Sequence, residues 1–386
     1  MGNIQMIGPT CAYSELTVMQ RQMFICNKLP IYRLPFLRRL QGEESYERVQ
    51  KAIYDTFESL PTLQVQYGYD NDGRTFYQKY VPLQEVDIVI PIRSITEKPE
   101  DFIETKTEPI DLNNGYPWKM MFLEQNDNRY LYIEFHHICI DGIGIRNVDS
   151  MISQLLTLGK LGDSYGDFST YCRINTLNKQ SLPSSASSTN NLLNLVIQKS
   201  GGPSTAAKVT RRISEKQWSH MNDIAQKLKV TKNAVFQGAL EEVLSRYCIG
   251  FEYGTISNWR MAFRNFHEVG CYVRIMPNKI EKSLTIEQKM KRIFVEQMKS
   301  WVDPKLSEVE AASPVHPIIY SYEEDMFHQF RFVPVDKLCK FDVYIRFCRY
   351  DEETTVVIEY NRSKYQEMQM LRIIKDIEKI IENYDV

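Results

Sequence analysis

The hydrophobic pattern changes period inside one short stretch, "RYLYIEFHHICIDGIGIRNVDSMISQLL". Up to His137 apolar and polar residues alternate as in a half-buried strand; after Asp141, Ile145, Val148, Met151, Ile152 and Leu155 recur at helical spacing. A strand must therefore hand over to a helix running from about 142 to 157. Upstream, "WKMMFLEQ" is a second strand-like run, separated from the first by the turn residues "NDN". The pair predicts a hairpin with a helix laid after it, which commits the chain to a mixed α/β class.

The same alternation of elements extends outward. "SYERVQKAIYDTFESL" spaces Val49, Ile53 and Phe57 for a helix, "TLQVQYGY" and "RTFYQKY" flank a "DNDG" turn, "EVDIVI" reads as a strand, and a short helix begins near Lys98. Over 166–206 periodicity fades into "QSLPSSASSTNN" and "SGGPST", a Ser, Gly and Pro-rich linker. It separates 1–165 from 207–386. Beyond it, "SEKQWSHMNDIAQKL" and "TKNAVFQGALEEVLSRY" open on capping residues as helices do. "CYVRIMP", "VHPIIYSY", "KFDVYIRFCRY" and "ETTVVIEY" read as strands, and an amphipathic helix closes the chain. With 386 residues, two domains of ordinary size are expected.

Composition excludes several function classes. Forty-seven basic against 49 acidic side chains announce no polyanion-binding surface, so nucleic acid is not expected as a partner. Eight scattered cysteines without a CxxC pair fit thiols in a reducing compartment. No signal-peptide pattern and no apolar run long enough to span a bilayer are seen, and a cytoplasmic protein is expected.

The paired histidines constrain the chemistry. Consecutive strand side chains leave opposite faces, so His136 and His137 cannot readily share a metal ion, and neither HExxH nor CxxC spacing occurs. No metal is expected. Opposite faces suggest different tasks, with one imidazole packed inward and the other emerging where it can transfer protons near neutral pH. Asp141 reads from the residues alone as an N-cap for the following helix, with the pair as an ordinary strand end standing equally open. A second motif, G-x-S-x-G around Ser164, would suit a serine hydrolase, but it lacks the preceding strand and following helix that a nucleophile elbow needs.

"HHICIDG" resembles the HHxxxDG signature of the superfamily that includes chloramphenicol acetyltransferase, nonribosomal peptide condensation domains and stand-alone acyltransferases. The likeness extends through "LPTLQVQYGYDNDGRTFYQKYVP", "VTKNAVFQGALEEVLSRY", "GTISNWRMAFRNFHEVGCYVRIMP", "FDVYIRF" and "VVIEYNRSKYQ". The chain departs from the family in being short and in lacking the basic residue usual near "LPTLQ". The resemblance implies two chloramphenicol acetyltransferase-like lobes with mixed sheets and flanking helices, set as a V-shaped pseudo-dimer around a central channel. In that frame 1–165 is the N-terminal lobe and 207–386 the C-terminal lobe.

By the same resemblance His137 is the catalytic imidazole, while His136, Asp141 and Gly142 support it. Asp141 would pair with a distant arginine, for which Arg260 is the candidate. The implied reaction is acyl transfer from a thioester to an amine or hydroxyl, with no covalently bound cofactor and no metal. The thioester would be carried by phosphopantetheine on an acyl or peptidyl carrier protein, or else by coenzyme A; the acceptor would be a small amine or alcohol. Ser321, Tyr322 and Trp259 are weak candidates for oxyanion donors. A free-standing condensation enzyme of specialised metabolism is the leading expectation, with a coenzyme A-dependent acyltransferase second and a non-catalytic recruitment domain third.

Overall fold

The computed structural model of the chain describes residues 13–162 and 205–385, apart from 28, 43, 70–75, 85–87, 114, 248–251, 259, 261–265, 303–316, 325–329, 334, 336–337 and 351. Ser164, Trp259 and the linker as far as 204 lie outside the described residues. The chain forms two compact units. One takes the described residues of 1–181 with 265–272 and 326–336; the other takes those of 182–264, 273–325 and 337–386. Thus two segments of the first unit come from the stretch read from sequence as the C-terminal lobe.

The first unit is built on a five-stranded sheet in the order β12 (Arg331–Phe332), β2 (Arg33–Arg39), β7 (Asn128–His136), β6 (Trp118–Gln125), β5 (Ile92–Ser94). The predicted hairpin is β6–β7, antiparallel from Trp118↔Phe135 to Gln125↔Asn128, and β7 is the middle strand. Buried on both faces, β7 departs from simple alternation: Leu131, Tyr132, Ile133 and Phe135 are all fully buried. Phe135 packs on Phe57 of helix α2 (Tyr46–Glu58), ring centroids 6.0 Å apart. Tyr132 joins Leu37, Leu123 and Ile103, the last from helix α3 (Pro99–Lys106), on the opposite face. Helix α4 (Gly142–Leu158) follows directly, burying Ile145, Val148, Met151 and Ile152, and stops at Gly159, whose φ of 67° suits a left-handed cap.

Short β1 (Tyr13–Glu15), β4 (Phe76–Tyr80) and β3 (Val65–Tyr69) make a second, three-stranded sheet, with α1 (Val18–Ile25) following β1. In it Gly68 lies opposite Tyr77, and a Cβ at that glycine would stand 2.8 Å from the phenol oxygen. Two expectations shift. Ile88–Ile90, the described part of "EVDIVI", is irregular, and the strand comes later at Ile92–Ser94. Strand β2 was not anticipated, because "RLPFLRR" carries Pro35, and proline is disfavoured inside sheets. Pro35 is tolerated where β12 pairs only with Phe36 and Leu37, its carbonyl taking the N–H of Val333 at 2.9 Å.

The second unit has one six-stranded sheet, β10 (Val273–Lys279), β9 (Glu252–Asn258), β11 (Ile318–Glu324), β13 (Val343–Tyr350), β14 (Glu353–Asn361), β8 (Ala206–Ile213). Helices α5 (Glu215–Leu228), α6 (Lys232–Tyr247) and α8 (Glu367–Glu382) bury their apolar stripes against Tyr320, Ile345, Phe347, Val356 and Ile358 of that sheet. Helix α7 (Ile286–Val302) packs on α6 so closely that a Cβ on Gly238 would stand 2.6 Å from Met290 Cγ. Among the described residues no helix is long and apolar enough to cross a membrane.

Candidate active site

The ladder of β7 does not stop at His136. The N–H of His136 donates to Pro117 O and that of His137 to Tyr32 O, each at 2.8 Å, so the backbone stays in register through both histidines before it turns. Tyr32 itself sits at φ 65°, a left-handed conformation uncommon for a bulky residue and costing on the order of 1 kcal/mol or more, which the neighbouring β2–β7 pairing sustains. The turn closes with Cys139 N–H on His136 O at 3.2 Å, and Asp141 begins α4.

Alternation separates the two imidazoles. His136 is 3% exposed, its Nδ1 accepting the N–H of Ile138 at 3.2 Å. It shares its face of β7 with Glu134, a fully buried carboxylate held by Arg33 through two hydrogen bonds of 2.9 and 2.7 Å and approached by Lys119. Burial is the main influence that lowers the Lys119 ammonium below its ordinary range, and the Arg33 charge acts in the same direction. His137 is partly exposed, and its Nδ1 lies 2.9 Å from Ile140 O. A carbonyl brings no proton, so Nδ1 must donate; in the neutral ring Nε2 is then the basic nitrogen.

Asp141 is fully buried and serves two masters. As N-cap its Oδ1 accepts Gly144 N–H at 2.9 Å, the role legible from sequence. Its Oδ2 accepts Tyr272 N–H at 3.0 Å, and its own N–H donates to Gly270 O at 3.1 Å. Segment 270–272 is thereby clamped onto the loop, and Cys271 brings its sulfur within 3.8 Å of His137 Nδ1. From further along α4, Asn147 Nδ2 reaches Phe266 O and Glu268 O at 3.0 and 3.2 Å. Gly142 is the first residue of α4 and has no positive φ, so no left-handed turn demands a glycine there.

The loop is also braced from below. Gln20 Nε2 donates to Ile138 O at 3.2 Å, and Thr62 Oγ1 to Cys139 O at 3.4 Å. The Cys139 thiol is pushed well above its ordinary range, first by burial and then by the nearby Cys271. Among the described residues no group of three or more His, Cys, Asp or Glu is placed to hold a metal ion.

The structure thus brings His136, His137, Asp141 and Gly142 together. Arg260 belongs to the second unit, where it is buried and its N–H donates to Asn258 Oδ1 at 2.9 Å. Ser321 and Tyr322 are also in the second unit, on β11. Ser321 Oγ donates to Glu323 and accepts from the Tyr344 hydroxyl, while the Tyr322 hydroxyl donates to Glu324 and its ring stacks on Phe347. The contributions of Gly270, Cys271 and Tyr272 were missed. The only signal was the likeness of "VGCYVRIMP" to a family segment, which did not say what that segment touches.

Comparisons with known proteins agree with the motif. Residues 13–165 match the model of the condensation-domain family. No curated protein sequence matches the chain. Among solved structures, the condensation domain from Monacolin K polyketide synthase MokA superposes with a TM-score of 0.77 at 11% identity, over 96% of this chain and 98% of that one. The X-domain from teicoplanin biosynthesis in complex with OxyB gives 0.73 at 14% identity, over 99% and 96%. A mutant starter condensation domain of rhizomide synthetase RzmA in complex with C8-CoA gives 0.72 at 12%, over 96% and 95%. At these identities the structures show the fold, which is that of a condensation domain.

Proposed function

We propose that this chain, whose residues 13–165 match the condensation-domain family model, transfers an acyl group from a thioester to an amine or hydroxyl in specialised metabolism. The observation that supports this most is the His137 ring, partly exposed and tethered through Nδ1 to Ile140 O. Nε2 takes the proton of the attacking amine or hydroxyl as the new bond to the acyl carbon forms; the tetrahedral intermediate collapses and the thiol leaves with a proton. General base assistance of this kind supplies roughly 10²- to 10⁴-fold. His136, Asp141 and Gly142 hold the loop and do no chemistry.

The donor is acyl phosphopantetheine on a carrier protein. Coenzyme A is the alternative, favoured by the C8-CoA complex of the similar starter domain. A reading as a recruitment domain draws on the likeness to an X-domain seen in complex with OxyB. The test is to incubate the protein separately with acyl-loaded carrier protein and with acyl coenzyme A, each with a panel of amines and alcohols, and to identify products by mass. Acyl amide or ester that disappears with His137→Ala is the expected result. No product from either donor, with a tight complex to a partner enzyme, would replace this reading with recruitment.

A further inference from the structure

We propose that Cys271 is a positioning residue for His137: its sulfur acts with the Ile140 carbonyl as a second acceptor of the Nδ1 proton, holding the ring in the tautomer that makes Nε2 the base. The proposal rests on the acyl-transfer reading for its purpose, though not for its geometry. Cys271 Sγ lies 3.8 Å from His137 Nδ1, while Ile140 O lies at 2.9 Å on the same nitrogen. A thiol that surrendered its proton to Nδ1 would require Nδ1 to accept, which the contact with Ile140 O opposes. The pair is therefore an N–H shared between two acceptors and not a cysteine nucleophile with its base.

Cys271 is not there by its own packing alone. It is 3% exposed, and the residues on both sides of it bond to Asp141, Gly270 through its carbonyl and Tyr272 through its N–H. One buried carboxylate thus caps α4, fixes the loop that carries His137, and carries in, from 130 positions along the chain, the residue that touches the ring. Two ionisable groups that interact with Cys271 are held towards their neutral forms, chiefly by burial. Tyr32, whose carbonyl holds the His137 N–H, has its hydroxyl held above its ordinary range by burial and by Cys26 and Cys271, and the Cys139 thiol is raised likewise.

The test uses full-length ¹⁵N-labelled protein and long-range proton–nitrogen spectra of the imidazoles, with the His137 signals assigned by their loss in His137→Gln. The variants are Cys271→Ser, which keeps an acceptor, and Cys271→Val and Cys271→Ala, which do not; thermal melting confirms that each is folded. Expected is an Nδ1–H ring in the wild type and in Cys271→Ser. In the Val and Ala variants the two nitrogen shifts should move towards each other. The titration midpoint of His137 should fall by roughly half a unit, because a weak acceptor stabilises the imidazolium more than the neutral ring. Acyl transfer by those variants should lose kcat with KM little changed. His137 spectra and titration identical in wild type and Cys271→Val would overturn the proposal even if acyl transfer is observed. A ring that responds as described, in a wild type that transfers no acyl group, would uphold it while the functional reading falls.

Discussion

Two fully buried carboxylates, Asp141 of the first unit and Glu241 of the second, are held by different means, the second kind also serving Glu134 and Arg33 in the first unit. In the first, Asp141 is met by the backbone N–H groups of Gly144 and Tyr272. In the second, Glu241 of α6 is met by Arg292 of α7 and by the backbone of Glu281, with Lys289 of α7 on the adjacent Glu242. Backbone donors fix the path of a chain, and side-chain cations fix the spacing of helices. The first arrangement delivers a loop and a distant segment to an imidazole; the second joins α6 to α7 where Gly238 already allows close approach. Burial of charge alone therefore does not mark a functional site. What sets Asp141 apart is that main-chain groups from two segments meet it beside a partly exposed histidine.

The comparison can be broken most forcefully at Asp141. In Asp141→Asn, whichever way the amide turns, its NH₂ faces one of the two backbone donors, and an unmet buried donor costs about 1–3 kcal/mol. A fall in Tm of roughly 3–10 °C is expected by calorimetry. Glu241→Gln should cost less, about 1 kcal/mol, because the amide oxygen can still accept the Glu281 N–H and Arg292 keeps Glu296 at 2.8 Å. A larger loss at Glu241 than at Asp141 would show that the cationic pairing is the tighter hold.

The smallest effect is a difference in pH dependence between neighbours. Burial pushes the Glu241 carboxyl up despite the Glu281 N–H and Arg292. Its proton-linked stability is therefore full below the unfolded carboxylate range and lost as pH rises through the higher folded value. For Glu242 burial also disfavours the charge, but Lys289 and Arg246 outweigh it and hold the carboxyl below its ordinary range. Its contribution is present above the unfolded value and lost as pH falls. Melting from about pH 4 to about pH 7 should show the deficit of Glu242→Gln, less than about 1 kcal/mol, shrinking towards acid, and that of Glu241→Gln shrinking towards neutrality.

How much of this the sequence disclosed varied with range. The hairpin, α4 and the cap at Asp141 were legible because periodicity and capping are local. Strand β2 was hidden by Pro35, and β8 by polar Lys208, Thr210 and Arg212 beside a low-complexity stretch. The buried ion pair of Glu134 with Arg33 went unread, because nothing local in the sequence names a partner 101 positions away. The clamp of 270–272 on Asp141 had no periodic trace at all, since that segment contributes only the Gly270 carbonyl and the Tyr272 N–H, backbone groups that almost any residue would supply.

The central claim is that His137 performs chemistry while Asp141 holds structure, and turnover per folded molecule tests it most directly. With product formation normalised to the folded fraction at the assay temperature, His137→Ala should lose at least about 100-fold with its melting behaviour essentially unchanged. Asp141→Asn should lose chiefly folded protein. Wild-type turnover in a well-folded His137→Ala would contradict the account.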